Sequence, residues 1–113
     1  MMVNQEILDA ITQYIQKVRQ AGIEVVTAVL FGSFSQGTAT ADSDIDLIVV
    51  APEFDQRNES QVNLLWELRV FADPRIEPIA CGSRQWLEDD ASPILSIARN
   101  SGVVVSFDEM AMV

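Results

Sequence analysis

The sequence predicts an α/β (α+β) domain with one small, partly mixed sheet packed by helices. Two observations carry this. Segments with apolar residues at helical spacing alternate with short β-branched runs, and glycine or proline punctuates nearly every junction. The resulting order is helix, strand, an optional short helix, strand, helix, strand, two helices, strand. At 113 residues, 49% of them apolar, there is room for one core, so 1–113 is read as a single domain.

Residues 4–21 form the first helix, with Ile7, Leu8, Ile11, Ile15 and Val18 in one stripe. Asn4 is its expected N-cap and Gly22 its stop. Residues 23–31 are a β-branched run ending at a glycine, hence a strand. Residues 32–42 are small and polar, and residues 44–50 form the second strand. Residues 52–58 are a loop. Residues 60–72 are helical, with Leu64, Leu65, Leu68 and Phe71 expected on one face. Residues 75–81 form a short third strand whose Pro78, lacking an N–H, argues for an edge or a strand-end position. A short helix capped by Ser83 follows. Ser92-Pro93 then opens a helix running to about residue 100. Gly102 stops it, and residues 103–107 supply a last strand. Trp66 and Trp86 are read as core or near-core, and residues 108–113, with Met110 and Met112, as a frayed end.

Seven Lys and Arg against seventeen Asp and Glu give a net charge of -10. A chain so charged lacks the basic footprint of a protein that binds nucleic acid directly, and it is repelled by anionic membranes. It favours a cationic protein partner, or divalent ions at a focused site. Cys81 is the only cysteine and there is no histidine. An internal disulfide, a Cys/His zinc site and any mechanism with an imidazole base are thereby excluded. Residues 1–19 carry no long apolar core, so neither a signal peptide nor a membrane span is expected, and the cytoplasm is the expected location. A domain this short gains from a partner subunit, and a homodimer stays open.

The chemistry concentrates in residues 30–50. Asp44 and Asp46 are two apart at the start of a strand, so their side chains share a face while Ile45, Leu47 and Val49 point into the core. Parallel carboxylates repel unless a cation lies between them, and Mg²⁺ suits such hard oxygen donors. A calcium loop is rejected because Leu47 stands where the sharp turn needs glycine. Upstream, Gly32-Ser33 follows a strand directly, which lets backbone N–H groups and a hydroxyl approach a phosphate. The pattern is neither a Walker P-loop nor a dinucleotide fingerprint. Asp42 and Ser43 are read as turn residues rather than ligands.

Gly32-Ser33, ten residues, then Asp44-Ile45-Asp46 resembles the signature of the polymerase-β-like nucleotidyltransferases. More narrowly, almost the whole chain resembles the minimal nucleotidyltransferases, whose members of this size often pair as antitoxins with HEPN-domain toxins. The resemblance implies a polymerase-β-like fold and transfer of AMP from ATP to a hydroxyl, such as a tyrosine, on the toxin. It implies Mg²⁺, two ions, held by Asp44, Asp46 and a third carboxylate assigned to Glu77. Gly32 and Ser33 would hold the β- and γ-phosphates. Relatives commonly carry arginine after the Gly-Ser pair, whereas here Phe34, Ser35 and Gln36 follow, and residues 22–53 contain no Lys or Arg. Metal must then neutralise most of the triphosphate charge, or a basic residue must come from Arg57, Arg75, Arg84 or the partner, and weak ATP affinity is expected of the isolated chain. Two other functions stay open: an antitoxin that neutralises by binding alone, and a nucleotidyltransferase acting on a small molecule such as an aminoglycoside.

Overall fold

The computed structural model describes residues 5–37, 39–40, 42–56 and 59–105. The expected cap Asn4, Arg57 and the segment 106–113 with Met110 and Met112 lie outside them. The elements are α1 (Gln5–Gln20), β1 (Thr27–Phe31), α2 (Ser33–Gln36), β2 (Ile45–Val50), α3 (Glu59–Leu68), β3 (Ile76–Cys81), α4 (Ser83–Glu88), α5 (Pro93–Ser101) and β4 (Val103–Val105). Single 3₁₀ turns occupy Pro52–Asp55 and Arg69–Phe71.

The four strands form one sheet in the order β3-β2-β1-β4. β1 runs antiparallel to both β2 and β4, while β2 and β3 are parallel, which makes the sheet mixed. Pro78 sits in β3, at the sheet edge, where its missing N–H breaks no ladder.

Strand alternation builds two cores. On one face Leu30, Ile45, Leu47, Val49 and Ile76 pack against Ile7, Ile11, Tyr14 and Ile15 of α1 and Leu65 of α3. Tyr14 is fully buried, and its hydroxyl donates to the Leu65 carbonyl at 2.7 Å, tying α1 to α3. On the opposite face Val29, Ile48, Val50 and Cys81 meet Leu95 and Ala98 of α5. A sheet covered on both sides explains the unbroken apolar run after Asp46.

Three expectations need correction. Phe71 is 70% exposed, because the chain tightens into a 3₁₀ turn at Arg69 and leaves the helical stripe. Trp66 is 41% exposed and lies beneath the Arg69 guanidinium rather than in the core. Ser83 does not cap α4: the N-cap is Gly82, and the Asp55 carboxylate accepts hydrogen bonds from the backbone N–H groups of Arg84 and Gln85, at 3.0 and 3.1 Å. Ser92 does cap α5, its hydroxyl accepting from the Leu95 N–H.

Candidate active site

The heads of the parallel strands β2 and β3 lie side by side, beside the end of β1. Phe31 is opposite Asp46 across β1–β2, and Asp46 is opposite Glu77 across β2–β3. Asp46 shares its face with Ile48 and Val50, as Glu77 does with Ile79 and Cys81. The two carboxylates thus continue the rows of the second apolar core, beyond the residues that pack on α5. Asp44 is exposed and stands one residue before β2.

Both paired carboxylates are half-buried. Burial and then the Asp44 charge push Asp46 above the ordinary carboxylate range, against a hydrogen bond from Glu77 that pulls it down. Burial pushes Glu77 up too, followed by the charges of Asp44 and Asp46 and by its hydrogen bond to Asp46, while the positive Arg69 opposes them. Both carboxyls are therefore held above their ordinary range, by burial first and by the negative charges around them second. Two half-buried carboxylates that disfavour each other's ionisation form a site that a cation can stabilise.

Gly32 closes this site from the β1 side. It has φ 74°, a conformation that favours glycine, and a Cβ added to it would collide with the Asp46 carboxylate. Ser33 follows as the first, half-buried residue of α2, and Gly37 ends that helix in the left-handed conformation. Ser43 holds the turn before β2: its hydroxyl accepts from the Thr40 N–H at 2.8 Å, and its own N–H donates to the Thr40 carbonyl at 3.1 Å. Asp42 is exposed in that turn.

The structure thus gathers Asp44, Asp46, Glu77 and Gly32 at one end of the sheet, with Ser33 next in the chain. Among the described residues, no three His, Cys, Asp or Glu side chains are drawn together tightly enough to make a ready-formed cation cage. The donor set fits a hard divalent ion all the same. It offers carboxylate oxygens only, and Asp46 and Glu77 already face one another across a strand pair.

The proposed sources of positive charge separate clearly. Arg75 immediately precedes β3, and its carbonyl accepts from the Ile45 N–H at 2.8 Å. Its guanidinium pairs with Asp73 at 2.7 Å and lies 5.9 Å from the centre of the Phe34 ring, so it stands beside the Gly32-Ser33 segment. Arg84 is far from this chemistry. It lines a recess with Asp55, Gln85, Glu88 and Asp89 at the other end of the sheet, where β2 and β3 finish. Arg69 escaped the sequence reading. No motif marks it, but the short α3–β3 connection brings it beside the first residues of β3, where its charge acts on Glu77.

A mixed four-stranded sheet with paired carboxylates at the heads of two parallel strands, and a positive-φ glycine against one of them, defines a nucleotidyltransferase architecture. The nucleotidyltransferase domain family matches residues 11–80. The chain belongs to that family, as the Gly32-Ser33 and Asp44-Ile45-Asp46 pattern led us to expect. A Methanocaldococcus jannaschii protein, provisionally named a protein adenylyltransferase, is 28% identical over 90 residues. That match covers 62% of this chain, and the chain spans only 61% of that relative. A crystal structure of a Sulfolobus solfataricus protein, provisionally described as a nucleotidyltransferase, superposes with a TM-score of 0.60 at 15% identity. It covers 86% of this chain and 77% of that one, and it supports the fold. The crystal structure of a toxin–antitoxin with AMP-PNP contains a chain that superposes with a TM-score of 0.58 at 26% identity, covering 84% of this chain and 72% of that one.

Proposed function

We propose that this protein transfers AMP from ATP, in a Mg²⁺-dependent reaction, to a hydroxyl of a partner HEPN toxin, with tyrosine as the acceptor, and thereby acts as an antitoxin in the cytoplasm. The observation that carries this reading is the Asp46–Glu77 pair across β2–β3, with Gly32 pressed against Asp46. Similarity to a protein named for adenylyl transfer to protein, and to a chain of a toxin–antitoxin bound to an ATP analogue, supports the substrate and the partner.

In this reading Asp44, Asp46 and Glu77 hold two Mg²⁺ ions, whose chemistry is to neutralise triphosphate charge and to favour ionisation of the acceptor hydroxyl. Gly32 admits the β- and γ-phosphates close to the backbone, and Ser33 donates its hydroxyl to them. The acceptor oxygen attacks the α-phosphorus and forms the new P–O bond. The bond from that phosphorus to the bridging oxygen breaks, and pyrophosphate leaves. Glu77, as the carboxylate beside the acceptor, takes up the hydroxyl proton. Cys81 plays no part: it is buried, and burial pushes its thiol up to about 11.

The test is intact-mass spectrometry of the protein encoded beside this chain, after incubation with the chain, ATP and Mg²⁺. The expected result is mass gained in steps of one AMP, absent with Asp44→Ala/Asp46→Ala. A second reading, neutralisation by binding alone, is favoured by Phe34, Ser35 and Gln36 standing where relatives carry arginine. It predicts no mass gain, with toxicity still suppressed by the double variant.

A further inference from the structure

β3 is the free edge of the sheet at the end that carries Glu77. Backbone groups alternate in direction along a strand. The Arg75 carbonyl points inward and accepts from the Ile45 N–H, so the carbonyls of Pro74 and Ile76 on either side of it point outward, where no further strand lies among the described residues. Arg69 fills that place. Its Nη1 donates to the Pro74 carbonyl at 2.9 Å and to the Ile76 carbonyl at 3.1 Å. Its guanidinium lies 4.8 Å from the centre of the Trp66 ring, so a residue of α3 braces it from behind. The Ile76 carbonyl belongs to the peptide that leads into Glu77. Fixing that peptide fixes the point from which the Glu77 side chain leaves the strand.

We propose that Arg69 is a positioning residue for the transfer site: braced by Trp66, it holds the head of β3 through the Pro74 and Ile76 carbonyls, in the placement that sets Glu77 against Asp46. This rests on the reading of Asp44, Asp46 and Glu77 as the cation-holding site. Arg69 reaches the strand by its backbone and acts on the reaction only through Glu77. The guanidinium suits the task because it presents donors to two carbonyls while its planar face stays on the indole. Lysine offers an ammonium without that planar face.

The experiment uses the full chain. Mn²⁺ affinity is measured by isothermal titration calorimetry without nucleotide, alongside the Mg²⁺ concentration that half-saturates AMP transfer and the KM for ATP. Arg69→Gln should weaken Mn²⁺ binding by about tenfold, the scale expected of groups that orient metal ligands, and shift half-saturation by a similar factor with KM for ATP little changed. Arg69→Lys should recover part of the loss, and Arg84→Gln, at the far end of the sheet, should match wild type. A purely structural role lowers Tm and leaves Mn²⁺ affinity alone, so wild-type affinity in a folded Arg69→Gln overturns the proposal. If that variant does not fold, Trp66→Ala and Arg69→Lys decide: weakened Mn²⁺ binding in both supports the proposal, and wild-type binding in both overturns it. A wild-type chain that neither binds Mn²⁺ nor transfers AMP overturns the site reading itself. One that does both, with Arg69→Gln equal to it, overturns only the role of Arg69.

Discussion

Asp46 is held in a conflict that one atom can remove. Its carboxylate faces Glu77, feels the charge of Asp44 and is crowded by Gly32, and its pKa is raised, as is that of Glu77. An acid whose folded pKa lies above its unfolded value costs the apo fold stability as pH rises through the folded pKa. Asp46→Asn keeps the shape and deletes the charge. At pH 7 without divalent cations it should raise Tm by about 2–4 °C, read by scanning calorimetry, while AMP transfer falls by about 10²–10³-fold. Asp73 shows the opposite sign. Hydrogen bonds from Arg75 hold its carboxyl below the ordinary range, so the pair contributes fully above the unfolded pKa and is lost as pH falls through the folded one. With both side chains only partly exposed, Asp73→Ala should lose about 1 kcal/mol near neutral pH. The difference from wild type should shrink below about pH 4 in urea titrations.

At the scale of elements, long-range contacts decide what local sequence leaves undetermined. The Asp55 carboxylate caps α4 from the 3₁₀ turn after β2, and Gly82 admits it, because a Cβ there would strike that same carboxylate. Asp55→Ala should destabilise the fold by about 1 kcal/mol in chemical denaturation, with Asp55→Asn recovering most of it, since an amide oxygen can still accept. The same distinction separates what was legible in the sequence from what was not. α1 was legible from apolar spacing and α5 from Ser92-Pro93 at its start and Gly102 at its end, because period and caps are local signals. Pro78 signalled an edge or a strand end for the same reason, and it lies inside the edge strand. The Asp46–Glu77 juxtaposition was reached through family resemblance, since parallel register is a property of two strands and neither strand encodes it alone. Asp55 and Arg69 carry no local mark. One caps a helix far along the chain, and the other satisfies carbonyls that become outward-facing only once β3 has joined β2. Phe71 was misread because a change from helical to 3₁₀ winding at Arg69 moves later side chains off the stripe.

Across the whole molecule the net charge of -10 sets the background against which any cation acts. Self-repulsion destabilises the compact state, and salt screens it over a Debye length of about 10 Å at 0.1 M. Every cation therefore stabilises this protein to some degree, and a rise in Tm with Mg²⁺ is not by itself evidence of a site. The distinction lies in what exceeds screening. An ion bound by the folded state alone adds RT ln(1 + [L]/Kd), about 1.4 kcal/mol at tenfold excess over Kd, or roughly 5–10 °C for a domain of this size. Mg²⁺ at millimolar concentration should thus raise Tm beyond NaCl of matched ionic strength. The excess should vanish in Asp46→Asn, whose response to NaCl should nearly equal that of wild type. Equal Mg²⁺ and NaCl responses in wild type would show that the carboxylates at the heads of β2 and β3 hold no ion without nucleotide. Repeating the comparison with ATP present then asks whether the triphosphate supplies the oxygens that complete the cage.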